Sequence, residues 1–475
     1  MISFLVLLPV AAGLAALAAG SRLRRDALSL VAAALHLLGV VRCWVHPPSG
    51  ELGGMLGLDA PGLLFLTIAS VLFLLTAVYG GGYFARADPR ALRIYAACSL
   101  FFLASMTLVC SSRHLGLLWV GIEATTLATA PLVYFHRSDP RVLEATWKYL
   151  VLCSVGIAVA LLGTFFVAIA AAYGPPEPTP LLLESLLARG PTLSAPWIKG
   201  GFLLLLVGYG TKMGLAPLHT WLPDAHSEAP APVSALLSGA LLNCAFLGVL
   251  RGAQVCAAAG AGGFARELLV LLGLVSVGIG AACIVGQNDL KRMLAYSSVE
   301  HMGILALGVG LGGGAAYGAM LHGLNHSLAK GLLFFAAGNV VLSYRTRSID
   351  AVRGVLRRLP ASGVLLLAGF LAITGLPPFG VFLSELTILN AAFAQGRGVV
   401  ALLLLAFLSI VFIGMAKGIL GLVQGAPPEG TPRERESPVA VGPPALLATA
   451  ALALGVFVPG FLDRLLEQAA RIAGG

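Results

Sequence analysis

The amino-acid sequence predicts an all-α integral membrane protein with about 14 transmembrane helices. Of its 475 residues, 58% are hydrophobic and 11% are charged, whereas about 25% of the residues of a soluble domain are charged. Apolar segments of about 17 residues or more, each long enough to cross a bilayer, follow one another along most of the chain. We therefore expect a multi-pass membrane protein and not a soluble enzyme.

The predicted spans are separated by short loops. They lie at residues 2–20, 27–45, 59–84, 93–111, 114–135, 147–172, 198–218, 231–250, 267–286, 293–310, 315–342, 362–392, 398–423 and 443–461. Arginines follow the first span, Met1–Gly20, instead of preceding it. We therefore interpret this segment as an uncleaved span and not as a signal peptide.

The basic residues of the loops predict the orientation of the chain. Lys and Arg are about twice as frequent in the loops after odd-numbered spans as in the remaining loops, and cytoplasmic loops carry such an excess. Both termini are therefore expected on the extracytoplasmic side of the cell (inner) membrane. The formal net charge of +9 is explained by the same loops, so it does not indicate nucleic-acid binding.

Two longer polar segments lie outside the predicted spans. Tyr173–Pro196 is rich in proline and has a short leucine-rich middle, which predicts an external loop with an interfacial helix. Gly425–Pro438 is rich in proline, glycine and charge, and is expected to be a flexible cytoplasmic loop. His219 and His226 lie in a predicted cytoplasmic turn, where a role in loop structure and a role in transport fit equally well.

Prolines interrupt the seventh and twelfth predicted spans. Pro217 follows Lys212 in the first case, and the pair Pro377 and Pro378 precedes Glu385 in the second. Proline lacks a backbone donor, so it breaks a helix at membrane depth. The breaks are five spans apart, and this odd number requires inverted topology if spans 4–8 and 9–13 are repeats.

We therefore predict two inverted five-helix repeats with discontinuous helices 7 and 12, and ordinary proline kinks are the alternative. The chain would divide into an N-terminal three-helix segment, two half-channels, and a cytoplasmic loop with a C-terminal helix. These segments correspond to residues 1–92, 93–251, 266–423 and 424–475. Broken helices at matching places in inverted repeats indicate a transport site near the middle of the membrane.

Ionisable residues at membrane depth are the candidate functional residues. His322, His326 and Lys330 are spaced four apart, so they share one stripe of a helix. Such residues are costly in a bilayer and occur mainly in ion pathways, proton relays and ligand sites. Burial and neighbouring charges can bring these groups toward the operating pH, which suits stepwise proton transfer. The full set is Glu123, Lys212, Glu300, His301, His322, His326, Lys330, Glu385 and Lys417.

Some polar residues also have a purely structural interpretation. Lys417 could extend its ammonium toward a membrane interface, and Glu300 could pair locally with the adjacent His301. Asp59, at the start of the third span, could be a helix N-cap. The remaining ionisable residues lie deep in apolar spans, which favours a role in transport.

Several motifs resemble those of a known family. They are Lys212-Met-Gly-Leu-Ala-Pro-Leu-His-Thr-Trp-Leu-Pro-Asp-Ala-His226, Leu290-Lys-Arg-Met-Leu-Ala-Tyr-Ser-Ser-Val-Glu-His-Met-Gly303, the His322-x3-His326-x3-Lys330 stripe, and Gly375-Leu-Pro-Pro-Phe-Gly380. Together they are similar to the antiporter-like proton-channel subunits of respiratory complex I, membrane-bound hydrogenases and multisubunit sodium/proton antiporters. Within the family, Ser297-Ser-Val-Glu-His301 is most similar to the F-type subunits of hydrogenase-4 and of related group 4 nickel–iron hydrogenases.

The resemblance implies roles for the candidate residues. It implies that Glu123 and Lys212 form a Glu–Lys pair in the first half-channel. It also implies that His322, His326 and Lys330 form a central relay, and that Glu385 is the ionisable residue of the broken twelfth helix. One departure concerns span 8, where many complex I members have a Lys or His. This chain has Ser238 and Asn243 there, so water would have to replace a protonatable step.

These observations predict a proton-translocating membrane subunit of a redox-driven complex of the hydrogenase or complex I type. The seven cysteines are scattered and form no CxxC pair, and no flavin, quinone or metal motif is recognisable. We therefore expect no cofactor and no redox centre in this chain. The expected partners are antiporter-like and quinone- or hydrogenase-anchoring membrane subunits and a peripheral redox arm. A sodium/proton antiporter module and a non-conducting membrane scaffold are the alternatives.

Overall fold

The computed structural model describes residues 1–85, 87–172, 180–427 and 432–474. Within these ranges the chain is almost entirely helical, and its extended residues form only isolated bridges. Long apolar helices dominate, because a backbone inside a bilayer must satisfy its own hydrogen bonds. The predicted all-α fold is confirmed.

Six helices make up the first part of the chain. They are α1 (Ile2–Ala18), α2 (Arg22–Val45), α3 (Ala60–Tyr83), α4 (Pro89–Ser111), α5 (Leu115–Val133) and α6 (Pro140–Ala172). Side chains cap several of their first turns. Asp88 accepts the backbone N–H groups of Arg90 and Ala91, and His114 does the same at the start of α5. Such caps satisfy donors that have no partner within the helix.

The middle of the chain contains shorter pieces. They are α7 (Leu183–Ala188), α8 (Ala195–Met213), α9 (Trp221–Glu228), α10 (Ala231–Leu236), α11 (Leu242–Cys256) and α12 (Gly262–Ile284). A wide π-helical turn at Leu237–Leu241 joins α10 to α11, and a second at Ala257–Ala261 joins α11 to α12. The chain leaves the helical conformation at Gly260, so α11 and α12 run as separate helices.

Eight helices follow, and two of them form the centre of the bundle. They are α13 (Leu290–Leu311), α14 (Gly314–Tyr344), α15 (Val355–Arg358), α16 (Pro360–Ile373), α17 (Gly380–Ala394), α18 (Gly398–Val423), α19 (Pro438–Val456) and α20 (Gly460–Gly474). Nearly every residue of α13 is buried, because α9, α12 and α14 pack around it. The amphipathic helix α20 packs against α3 and α14 and was not predicted.

Every predicted span coincides with a helix or a pair of helices. Ten of the described helical stretches are long and apolar enough to cross a membrane, and one of these runs from α10 to α12. Helices α1, α16 and α17 are apolar but shorter. The chain is therefore a multi-pass membrane protein. The number of crossings, the side of each terminus and the division into four segments remain predictions.

Both predicted helix breaks are present. Helix α8 ends where Gly214 adopts a φ of 80°, and the chain resumes as α9. Helix α16 ends just before Gly375, which has a φ of 63°, and the chain resumes as α17. Glycine adopts such left-handed conformations readily, and the prolines that follow cannot donate backbone hydrogen bonds. The seventh and twelfth spans are discontinuous, as predicted.

Both predicted polar loops extend beyond the described residues. Residues 173–179 of the first loop lie outside the description, and the short helix α7 occupies its leucine-rich part. Residues 428–431 of the second loop also lie outside it. Within the described remainder, Glu434 accepts hydrogen bonds from Ser343 Oγ at 2.9 Å and from Arg358 Nε at 3.0 Å. This end of the second loop is therefore tied to α14 and α15.

Asp59 caps α3 and also belongs to a buried ion cluster. Its Oδ1 accepts the N–H of Gly62 at 3.1 Å, so the N-cap interpretation is confirmed. Arg251 donates to both carboxylate oxygens, at 2.6 and 2.7 Å, and Arg113 donates at 2.6 Å. The cluster joins the start of α3 to α11 and to the loop after α4. The charge pattern predicts that all three residues lie on one side of the membrane.

Replacing Asp59 with alanine is expected to lower the free energy of unfolding by about 3–5 kcal/mol, because Arg251 would keep a buried charge without its carboxylate. The midpoint of thermal unfolding of the detergent-solubilised protein measures this effect. Glu267→Ala is the matched control, since it removes a more exposed partner from Arg397 and should cost at most about 1 kcal/mol. Equal midpoints for the two variants would contradict a stabilising role of the cluster.

Candidate functional site

Most predicted site residues lie on five helices around the centre of the bundle. Their positions are Glu123 on α5; Lys212 near the end of α8; Glu300 and His301 on α13; His322, His326 and Lys330 on α14; and Glu385 on α17. All of them except the partly exposed Glu123 are buried. The two helix breaks matter here. Lys212 lies near the end of α8, just before the first break, and Glu385 lies near the beginning of α17, just after the second.

Lys212 is linked to Glu123 through a hydroxyl group. Its Nζ donates to Thr126 Oγ1 at 2.9 Å and to Tyr149 OH at 2.7 Å. Thr126 Oγ1 in turn donates to Glu123 Oε2 at 3.4 Å. Ser154 Oγ donates to the other carboxylate oxygen of Glu123 at 3.2 Å. The structure therefore brings the predicted Glu–Lys pair together by way of Thr126 and not as a direct ion pair.

Aromatic rings surround the ammonium of Lys212. Its Nζ lies 4.6 Å from the ring centroid of Tyr149 and 5.9 Å from that of Trp221. Trp221 Nε1 donates to the carbonyl oxygen of Thr211 at 2.7 Å, which holds α9 against the end of α8. Contacts of a cation with ring faces partly replace its lost hydration. Tyr149 was missed in the sequence, because no pattern there shows that α6 approaches Lys212.

Polar side chains that cannot titrate connect span 8 to the two central helices. Ser238 Oγ lies 2.8 Å from Ser298 Oγ of α13. Asn243 Nδ2 donates to Ser327 Oγ of α14 at 2.8 Å. The positions at which the chain departs from many complex I members are therefore hydrogen-bonded to the two central helices, α13 and α14.

Lys330 is fully buried and bonds to α13. Its Nζ donates to the carbonyl oxygen of Leu294 at 2.7 Å and also to Ser297 Oγ. Glu300 lies three residues farther along α13 and is also buried. A buried ammonium needs such partners, because an isolated charge away from water is very costly. Ser297 was not singled out in the sequence, although it belongs to the Ser-Ser-Val-Glu-His motif.

Three histidines form one group beside Lys330. His301 Nδ1 lies 2.9 Å from His322 Nε2, and His322 Nδ1 lies 3.0 Å from Ser384 Oγ. The ring centroid of His301 is 5.0 Å from that of His322 and 5.2 Å from that of His326. His301 Nε2 also lies 3.5 Å from Glu300 Oε2. The local contact between Glu300 and His301 therefore exists, and it coexists with contacts to the predicted relay.

Glu385 closes this group at the break in the twelfth span. A Cβ added to Gly375 would overlap Glu385 Oε2, so a larger residue at position 375 would displace the carboxylate. One ligand atom each of His301, His322 and Glu385 lies within 4.8 Å of the others, a spacing that a metal ion could also use. The hydrogen bond between the two imidazoles already accounts for their contact, so the geometry does not require a metal.

Several buried polar atoms in this group have no hydrogen-bond partner within the described part of the protein. They include both ring nitrogens of His326, both polar side-chain atoms of Asn325, and Glu385 Oε1. Buried polar groups are bonded in the great majority of cases, and each exception calls for an explanation. These atoms remain able to form new bonds when the protonation state of a neighbour changes.

The structure separates Lys417 from the other site residues. It lies on an exposed side of α18, near the end of that helix, where a lysine can extend toward an interface. Its place in the pathway stays a prediction. His219 is buried, with its ring centroid 6.2 Å from that of Tyr296. His226 is fully buried as well, which a position in a predicted turn did not indicate.

The fold and the site together define a class of protein. It is a multi-pass membrane protein in which buried acids and bases extend between two broken helices. Residues 112–412 match the family described as NADH:quinone oxidoreductase/Mrp antiporter, TM. The chain belongs to this family, so the resemblance found in the motifs is confirmed, and the chain is an antiporter-like membrane subunit.

Relatives of known type share most of the chain. It is 39% identical over 401 residues to the hydrogenase-4 component F homolog of Methylacidiphilum infernorum, and the aligned region covers 82% of each chain. A chain of respiratory complex I from Thermus thermophilus superposes with a TM-score of 0.83 at 26% identity, over 100% of both chains. A chain of the archaeal membrane-bound sulfane sulfur reductase has a TM-score of 0.90 at 23% identity, over 99% of this chain and 97% of that one. At 23% identity, the similarity to the sulfane sulfur reductase chain shows only that the two chains share a fold.

Proposed function

We propose that the chain moves protons across the membrane as one subunit of a larger redox-driven complex. The observation that carries this proposal is the series of buried titratable groups from Lys212 through Lys330 to Glu385, which extends between the two helix breaks. Ionisable residues at membrane depth mark ion pathways and proton relays. The similarity to a hydrogenase-4 component and to a respiratory complex I chain supports the same function.

In the first half, Lys212 and Glu123 would exchange a proton through Thr126. A hydroxyl group can accept a hydrogen bond from one neighbour while it donates to another, and Thr126 does so between these two side chains. A proton received on one side of the hydroxyl is released on the other, so the threonine itself stays neutral. Ser154 and Tyr149 hold the two charged ends in place.

In the second half, the imidazoles would pass protons between Lys330 and Glu385. Each nitrogen of His322 already faces a partner, His301 on one side and Ser384 on the other. A neutral imidazole donates at one nitrogen and accepts at the other, so a proton that arrives at one nitrogen can leave from the second. Glu385 lies beside this pair at the break, where a carboxylate can take up the proton.

The driving energy would come from partner subunits. Moving one charge against 100 mV costs about 2.3 kcal/mol, and the sequence shows no motif for a redox centre that could supply it. We infer antiporter-like and quinone- or hydrogenase-anchoring membrane subunits and a peripheral redox arm as partners. We further propose that the complex lies in the cell (inner) membrane, with both termini of this chain on the extracytoplasmic side.

Inverted membrane vesicles that contain the intact complex test the transported ion. Electron transfer through the complex should acidify the vesicle interior in sodium-free buffer, as measured with a pH-sensitive dye. Acidification that requires added sodium, or sodium uptake that accompanies proton release, would instead identify a sodium/proton antiporter module. If neither Lys212→Ala nor Lys330→Ala changes acidification, the chain is a non-conducting scaffold and the proposal is wrong.

A further inference from the structure

A cavity of about 640 Å³ opens on the face that the charge pattern predicts to be cytoplasmic. Its outer wall is polar and mainly basic, and includes His136, Arg141, Glu228, Arg345 and Arg347. Such a cavity admits water and protons. None of the predicted pathway residues lines this cavity, because it lies between α14 and the loops after α5 and α9.

The inner end of the cavity points toward Lys330 along two helices. Gly338 of α14 and Lys291 of α13 line the cavity. Gly338 is two turns from Lys330, about 12 Å along the helix axis. Lys291 is less than two turns from Ser297, about 9 Å along α13, and Ser297 accepts a hydrogen bond from Lys330. Both helices therefore lead from the cavity to the same buried ammonium.

His226 occupies the interval between the cavity and Lys330. Its ring stacks on Phe334, with centroids 5.1 Å apart and an angle of 14° between the planes, and Phe334 lies midway between Lys330 and Gly338 on α14. The next residue, Ser227, lines the cavity. His226 is 0% exposed, and neither of its ring nitrogens has a hydrogen-bond partner among the described residues.

We propose that His226 carries protons between this cavity and Lys330, so that the central relay has its own access to the cytoplasmic face. This inference rests on the proposed function. It places the access route beside α9, the second piece of the broken seventh span. Protons that use it do not pass through Glu123, Lys212 or the serine and asparagine links of span 8.

The transfer needs one imidazole with two free nitrogens. A protonated water in the cavity gives its extra proton to one nitrogen of His226, and the opposite N–H passes its proton through a bridging water to the neutral amine of Lys330. The ring is then neutral with its N–H on the cavity side, and it must turn before the next transfer so that this N–H faces inward again. Lys330 lies about one turn along α14 from Phe334, whose ring stacks on His226, and His326 lies one turn beyond Lys330.

Lys291 holds the outer side of this route in place. Its Nζ donates to the carbonyl oxygens of Ser227, at 3.2 Å, and Ala229. These carbonyls belong to the end of α9, where a cation is favourable. The ammonium therefore fixes the end of the helix that carries His226 and keeps positive charge at the floor of the cavity.

Two replacements of His226 separate proton transfer from packing. His226→Phe keeps an aromatic ring against Phe334 but cannot carry a proton, so we expect proton translocation by the intact complex in inverted vesicles to fall at least about tenfold. His226→Ala should lose translocation to a similar extent and should recover when imidazole is added on the cavity side, because the open cavity leads to the vacated position. His46→Ala, at an exposed position after α2 and outside the lining of the cavity, is the matched control and should leave translocation unchanged.

The outcomes distinguish this inference from the proposed function. Full translocation in His226→Phe would overturn the access route, and it would leave the proposed function intact if Lys330→Ala still abolishes translocation. Loss of translocation in His226→Ala without recovery by imidazole, together with full translocation in His226→Phe, would show that the ring acts only in packing. Recovery of His326→Ala by imidazole to the same extent would also contradict the route, because His326 does not adjoin the cavity.

Discussion

Lys330→Ala is expected to abolish proton translocation while the complex still assembles. Lys330 is 0% exposed, and its ammonium connects α14 to the carbonyl of Leu294 and the hydroxyl of Ser297 on α13. Alanine removes the proton carrier and leaves these groups without it, so the relay would be interrupted at its centre. A loss of at least about 100-fold is expected for removal of a proton-transfer group.

Acidification of inverted vesicles, normalised to the amount of assembled complex, measures this loss. Lys330→Met fills a similar volume without a charge and should behave like alanine, which separates the missing proton from a packing defect. Lys199→Ala, at an exposed position of α8, is the control for replacing a lysine and should translocate normally. Normal translocation in Lys330→Met would contradict the central role of Lys330.

Glu385→Gln is the second replacement with a large expected effect. The carboxylate is buried at the break before α17, within 4.8 Å of the ligand atoms of His301 and His322. Glutamine has nearly the same shape and fits beside Gly375, but it cannot accept and release a proton. Translocation is therefore expected to fall at least about 100-fold, with little change in assembly or thermal stability.

The same vesicle assay, run beside a measurement of electron transfer, tests this expectation. Glu267→Gln changes a surface glutamate paired with Arg397 and should have no effect on translocation. Glu385→Asp keeps the carboxyl group but moves it about one bond away, so partial activity is expected. If Glu385→Gln and Glu267→Gln translocate equally well, the pathway does not pass through the broken twelfth span.

The elements predicted from the sequence are those that depend on distance along one helix. The four-residue spacing of His322, His326 and Lys330 determines that they share a stripe, and the prolines at 217 and 377 determine where the seventh and twelfth spans break. Hydropathy identifies α13 and α14 as long apolar helices at membrane depth. All of this follows from local chemistry, which a single sequence contains.

The missed features depend on how each helix is rotated about its axis. The contact of His226 with Phe334 joins residues more than 100 positions apart, and tilt and rotation follow from packing against neighbouring helices and not from the length of an apolar run. Helix α20 was missed for another reason, because its apolar residues cover only one face and a membrane-length window averages them with polar ones.

The paired hydroxyls of Ser238 and Ser298 have a consequence for timing. A serine at neutral pH holds no spare proton, whereas a lysine, a histidine or a carboxylate can keep one for as long as its surroundings allow. Lys212 and Lys330 can therefore act as places of storage, while the contact between Ser238 and Ser298 can serve only for passage. A proton that crosses between the two halves there cannot pause on either hydroxyl.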